Sequence, residues 1–169
     1  MKHLMLIDGY NLLHEVTPLG DLQGNGWEDA RDQLIAVIAD YQGGRQEKIY
    51  LVFDGHYLPA NLGNQENYGR LSVIFTKEGE SADTWIERKS VQVGRESRIT
   101  VVTSDRLEQS FVWGQGALRQ SARELWLEIE GNLQARKKNR KKEDKKFTSL
   151  EERLDGKTRE IMEKWRRSG

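Results

Sequence analysis

The stretch His3-Leu4-Met5-Leu6-Ile7-Asp8-Gly9-Tyr10-Asn11 joins a short apolar run to a carboxylate, a glycine and an amide. The apolar run reads as a buried strand. An acid at the carboxyl end of the first strand of an open α/β sheet sits where such folds place their ligands. Gly9 permits a turn there without steric penalty. As a single occurrence, Asp8 is equally well a turn residue closing a strand.

The same pattern repeats down the chain. Lys48 to Phe53 is a second apolar strand and ends on Asp54-Gly55; Arg98 to Val102 ends on Thr103-Ser104-Asp105. Arg70 to Phe75 is a third strand, followed by Ser81 as a helix N-cap that places Asp83 in the first helical turn. Asp83 would also complement the helix dipole. Residues 27–42 form an amphipathic helix with Trp27, Ala30, Leu34, Val37, Ile38 and Tyr41 on one face. Residues 12–26 and 57–69, rich in Gly, Pro and Asn, read as loops. A helix is expected after Asp105 to about Val112, and another from Gly116 to Leu133 with Leu118, Ala122, Leu125, Ile129 and Leu133 on one face.

Strands alternating with helices give an α/β fold with a mostly parallel central sheet flanked by helices. All parallel strands end on one rim, so Asp8, Asp54 and Asp105 share it and Asp83 faces it. Clustered carboxylates raise one another's pKa unless a cation lies among them. An all-oxygen donor set suits Mg²⁺ or Mn²⁺.

Composition narrows the alternatives. The 169 residues contain no cysteine, which removes thiol nucleophiles, disulfides and Cys-ligated metals. Neither a phosphate-cradling P-loop nor a serine nucleophile elbow is present. His3, His14 and His56 lack zinc-ligand spacing. No leader or membrane span is legible, and a cytoplasmic location is expected. The net charge of zero conceals a split. Residues 1–116 carry 11 Lys and Arg against 17 Asp and Glu, whereas residues 117–169 carry 16 against 10. Residues 136–146 hold eight cations and two acids, a flexible or loosely helical arm suited to RNA phosphates. The chain therefore divides into a domain at 1–135 and a basic extension at 136–169. Thr148-Ser149-Leu150-Glu151-Glu152 reads as a capping box opening a last helix, whose Leu150, Leu154, Ile161 and Trp165 would pack back on the domain.

Ile7-Asp8-Gly9-Tyr10-Asn11, Val52-Phe53-Asp54, Glu80-Ser81-Ala82-Asp83 and Thr103-Ser104-Asp105, in this order and spacing, resemble the NYN family of PIN-like nucleases. Phe111 to Arg119 and Glu163-Lys164-Trp165-Arg166-Arg167 resemble its bacterial YacP-like branch. The resemblance implies a three-layer PIN-like α/β/α fold with a basic C-terminal helical extension. It also implies a metal-dependent endoribonuclease acting on mRNA at the translating ribosome. Mg²⁺ or Mn²⁺ is the expected cofactor, with no organic cofactor, no membrane partner and a monomeric chain. Asp8, Asp83 and Asp105 would be the catalytic and metal-binding acids, with Asn11, Asp54 and Ser104 behind them. Arg119, Arg123, Arg136, Lys137, Lys138, Arg140, Lys141 and Lys142 would grip RNA. The other readings are an RNA- or ribosome-binding module without turnover and a structure-specific DNA or RNA nuclease.

Overall fold

A computed structural model describes residues 2–16, 26–55, 63–94, 96–104 and 116–167, the last stretch largely as backbone beyond residue 143. The apolar run becomes β1 (Lys2–Asp8), and Gly9–Val16 follow as helix α1. Next come α2 (Gly26–Gly43), β2 (Lys48–Phe53), β3 (Asn64–Tyr68), β4 (Leu71–Phe75), α3 (Ala82–Val93), β5 (Ser97–Val102), β6 (Leu118–Gln120) and α4 (Ala122–Arg167). The chain forms two compact units, Met1–Ile129 and Glu130–Gly169.

The six strands form one sheet in the order β3-β4-β2-β1-β5-β6, parallel except for the β3–β4 pair. β1 lies centrally, pairing Leu6 with Tyr50 on one side and with Val101 on the other. The chain moves outward from β1 to β2 and β4, then crosses back through α3 to β5 on the opposite flank of β1. That reversal creates a crevice at the carboxyl ends of β1 and β5.

Successive strand residues face opposite sides of a sheet. Leu4, Leu6, Tyr50, Val52, Ile99 and Val101 form one core cluster with Ala82 and Ile86 of α3. The alternate residues Met5, Ile7, Ile49, Leu51 and Phe53 are buried as well, which is the near-continuous apolar pattern of a parallel sheet covered on both faces. Asp8 has the parity of Leu6, and Asp54 that of Val52, so both point to the α3 side.

Four expectations are corrected. Residues 12–16 are helical, because Asp8 caps α1; residues 17–25 lie outside the described set. Residues 64–68 are not loop but an antiparallel edge strand, mostly exposed and polar because only one flank is paired. Residues 118–120 are a strand rather than a helix, placing Leu118 half-exposed. The helix opens at Ala122, where Ser121 and Glu124 form a capping box: Ser121 Oγ accepts the Glu124 N–H at 3.1 Å and Glu124 Oε2 accepts the Ser121 N–H at 2.7 Å. From there α4 runs unbroken to Arg167, so residues 136–146 are regular helix and Thr148 starts no new one. The helix expected after Asp105 lies outside the described residues.

Ala122, Leu125 and Ile129 bury one side of the first turns of α4. Glu128 anchors them. Its Oε1 accepts from the Tyr41 hydroxyl and from Arg45 Nη1, both at 2.7 Å, and its Oε2 accepts from Gln120 Nε2 at 3.1 Å. Burial, then the Glu128 hydrogen bond, pushes the Tyr41 phenol well above its ordinary range.

Candidate active site

Asp8 is held by the helix it starts. Its Oδ1 accepts the Asn11 backbone N–H at 3.1 Å, the geometry of an N-cap three residues ahead. Asn11 then reaches across the crevice, where its Oδ1 accepts the Ser104 N–H at 3.0 Å. Two of the three residues expected behind the acids, Asn11 and Ser104, thus meet each other and tie the end of β1 to the end of β5. Asp105 itself lies outside the described residues.

Gly9 and Gly55 follow the two strand-terminal acids for reasons of space. A Cβ on Gly9 would sit 2.5 Å from the Phe53 ring, and one on Gly55 would sit 1.9 Å from the Thr76 carbonyl oxygen. Gly9 is not in the left-handed region, so room, not backbone freedom, is what it supplies. Thr76 holds the Asp54-Gly55 turn. Its Oγ1 accepts the Gly55 N–H at 2.8 Å and donates to the Glu80 carbonyl at 2.6 Å. The same segment leads to Ser81, whose hydroxyl accepts the Thr84 N–H and starts α3 with Asp83 in the first turn.

The acids converge. Burial pushes the Asp8 carboxyl up to about 6, the Asn11 hydrogen bond opposes this, and contact with Asp83 and the charge of Asp54 raise it further. A helix cap alone would lower the pKa, so its cap role does not account for the second carboxylate placed against Asp8. Asp83 raises the Asp8 pKa through its charge and a side-chain hydrogen bond, and Asp54 raises it through its charge. Two carboxylates pressed together in a partly buried place need a proton or a cation between them. Among the described residues no set of three His, Cys, Asp or Glu side chains is close enough to hold a metal ion. Among the described residues Asp8 and Asp83 are the carboxylates brought together here, and their oxygen donors are of the kind that suits Mg²⁺ or Mn²⁺.

Arg119 is exposed on β6, beside Val101, and Arg123 is exposed in the first turn of α4. β6 ends on the same rim as β1 and β5. Arg136, Lys137, Lys138, Arg140, Lys141 and Lys142 are exposed on the helix of the second unit. Arg31, which the sequence reading passed over, lies on α2 with its guanidinium 5.3 Å from the Phe75 ring. Its side chain is only 12% exposed, and its Nε has no hydrogen-bond partner. Phe75 stacks on Phe53, the residue before Asp54. A lone cation one position after Ala30 on the apolar face of α2 was the available signal.

The match to known proteins follows this layout. The model of the YacP-like NYN domain matches residues 5–167. The chain belongs to the YacP-like NYN domain family. It is 40% identical to the uncharacterized protein YacP of Bacillus subtilis, over 97% of this chain and 96% of that protein. The crystal structure of Rae1 (YacP) from Bacillus subtilis matches with a TM-score of 0.72 at 38% identity, over 97% of this chain and 94% of that one. A tryptophan-to-leucine mutant of the same protein matches with a TM-score of 0.67 at 40% identity, over 83% and 81% of the two chains. NYN domains are a PIN-like nuclease family, so membership points to a nuclease. No helix among the described residues is long and apolar enough to cross a membrane.

Proposed function

We propose that this YacP-like chain is a metal-dependent endoribonuclease that cuts mRNA on the translating ribosome. The observation that carries the nuclease reading is the partly buried Asp8 carboxylate beside Asp83 at the crevice between β1 and β5. Asp8 and Asp83, with Asp105, would hold Mg²⁺ or Mn²⁺. Such an ion, when bound, would supply a more acidic water and offset charge developing on the phosphate. Asn11 fixes the Asp8 carboxylate and the chain at Ser104 together, which keeps the ligands from spreading. Asp54 adds negative charge from the adjacent strand end. Arg119 and Arg123 stand on the same rim to receive the phosphates flanking the cut. Water replaces the 3′-oxygen at phosphorus, leaving a 5′-phosphate and a 3′-hydroxyl, and no side chain becomes covalently attached.

The ribosome enters through the family resemblance and through charge. The catalytic part is acidic, so free RNA gains little attraction there, while the helix from Glu130 carries the cations. The test is cleavage of one mRNA, free and during translation, at equal enzyme and Mg²⁺. Preferential cutting of the translated message is expected. Equal cutting of both overturns the ribosomal part alone. Asp8→Asn, Asp83→Asn and Asp105→Asn should each abolish cleavage in both arms, and Asp54→Asn should lower it less. Wild-type rates in Asp8→Asn would overturn the site.

A further inference from the structure

A large concavity among the described residues lies at the other edge of the sheet. An open basin of about 980 Å³ is formed by the amino-terminal ends of the strands, the turn before β2 and the last turns of α3. Lys2, Arg45, Lys48, Arg70 and Lys89 line it, with Glu47 as the sole acid among the described residues there. Five of the 11 Lys and Arg of residues 1–116 are thus gathered here, against one of their 17 acids. Random placement on a segment with 11 cations and 17 acids would give the opposite sign.

The arrangement is built by register. Leu4 pairs with Lys48, Lys2 with Ser97, and Ile49 with Leu71, which aligns the starts of four neighbouring strands. Parity puts Lys2 and Lys48 on the α3 face, where Lys89 descends toward them. Lys48 and Lys89 place their ammonium groups 4.9 and 5.3 Å from the centroid of the same Tyr50 ring. Arg70 is steered by a 2.8 Å hydrogen bond from its Nη1 to the Gln46 carbonyl. Arg45 is neutralised by Glu47 and Glu128. Lys2, Lys48, Arg70 and Lys89 have no carboxylate partner among the described residues. Convergent cations without counter-charge form the footprint of a polyanion. Tyr50 is buried, so its ring offers no platform for stacking a base. What remains is contact with phosphates, which fixes position without reading sequence.

We infer that the basin of Lys2, Lys48, Arg70 and Lys89 is a second RNA site, which grips the phosphate backbone of a structured RNA at the edge opposite the catalytic acids. The choice of RNA over other polyanions rests on the proposed nuclease reading. Lys2 and Asp8 stand six residue steps apart along β1, about 20 Å at strand rise. The RNA held here is therefore a docking partner, distinct from the phosphodiester being cut.

The test is fluorescence anisotropy of the full chain with a labelled RNA duplex of about 20 base pairs, in chelator, across a KCl series. Lys48→Gln, Arg70→Gln and Lys89→Gln combined should lower the slope of log affinity against log salt by about two to three. The charge-conserving set Lys48→Arg, Arg70→Lys and Lys89→Arg should restore it. An unchanged slope in the neutral variant overturns the proposal, as does equal loss in both variants, which would mark a packing effect. Inorganic phosphate that displaces the duplex at concentrations equal to the duplex's own Kd would make this a small-anion site and overturn it too. The readout needs no cleavage, so the two failures are distinguishable: an inactive wild type counts against the nuclease reading, and an unchanged salt slope counts against this one.

Discussion

Asp8→Asn should stabilise the metal-free protein while destroying its activity. The Asp8 carboxyl stands at about 6 in the fold against its ordinary 3.8, chiefly through burial. Between those values the folded chain keeps a proton that the unfolded chain has lost. Stability therefore falls as pH rises through that window, is lowest above it, and carries no such penalty below about pH 4. The gap corresponds to about 3 kcal/mol at pH 7.5, an upper bound because the fold can relax around the charge. Asparagine removes the charge and keeps an oxygen to accept the Asn11 N–H. In excess chelator at pH 7.5 the variant should melt several degrees above wild type, at about 2–4 °C per kcal/mol for a chain of this size. The difference should vanish toward pH 4. Mn²⁺ should then raise the melting temperature of wild type and leave the variant nearly unmoved. A variant that melts below wild type in chelator at pH 7.5, or a difference independent of pH, would refute the argument that Asp8 is a carboxylate strained by burial and by its acid neighbours.

Gly55→Ala should cost more than about 2 kcal/mol in a denaturant melt, because the new methyl meets the Thr76 backbone rather than a side chain that can turn away. Gly9→Ala should cost less, since the Phe53 ring is the obstacle there. Arg31→Met should leave stability unchanged or improved, since it removes a largely buried guanidinium with an unsatisfied Nε, yet lower cleavage if the cation serves phosphate; loss of stability with full activity would make Arg31 a packing residue. Neutralising Arg136, Lys137, Lys138, Arg140, Lys141 and Lys142 together should weaken RNA or ribosome binding and flatten its salt dependence, with cleavage at saturating substrate retained; an unchanged slope would make that helix a spacer.

The parallel core was legible because a strand covered on both faces is an uninterrupted apolar run, as in Ile49 to Phe53. The acids were legible because strand polarity alone puts Asp8 and Asp54 on one rim. β3 was missed because an edge strand buries almost nothing, so Asn64 to Tyr68 carries no alternation to detect. α1 was hidden by Gly9 and Asn11, which resemble turn residues until Asp8 is seen as their cap. The start of α4 was misplaced for a related reason. Ser121 and Glu124 make the same cap signature as Thr148 and Glu151, and the short strand before them buries little of its own. Between 134 and 143 every residue is exposed, so apolar periodicity, the signal that marks a packed helix, is absent from a stretch that is helical nonetheless. The basic basin was invisible in sequence. Its cations come from four separate segments, and only the strand register brings them together.

Charge and distance then constrain how the two edges can work together. The rim holding Asp8, Asp83 and Asp54 repels phosphate. The basin is about 20 Å away along β1. The screening length at physiological ionic strength is about 8 Å, so the basin cannot offset the field of the rim through solvent. On the proposed reading, attraction of the scissile phosphate has to come from cations local to the rim: a bound divalent ion, Arg119 and Arg123. Grip on a docking RNA comes from the basin and needs no metal. Binding and cutting should therefore respond to different variables, the first to monovalent salt and the second to divalent ion occupancy. A chelator should leave docking intact while stopping cleavage, and raising KCl should release the RNA without emptying the acids of their cation.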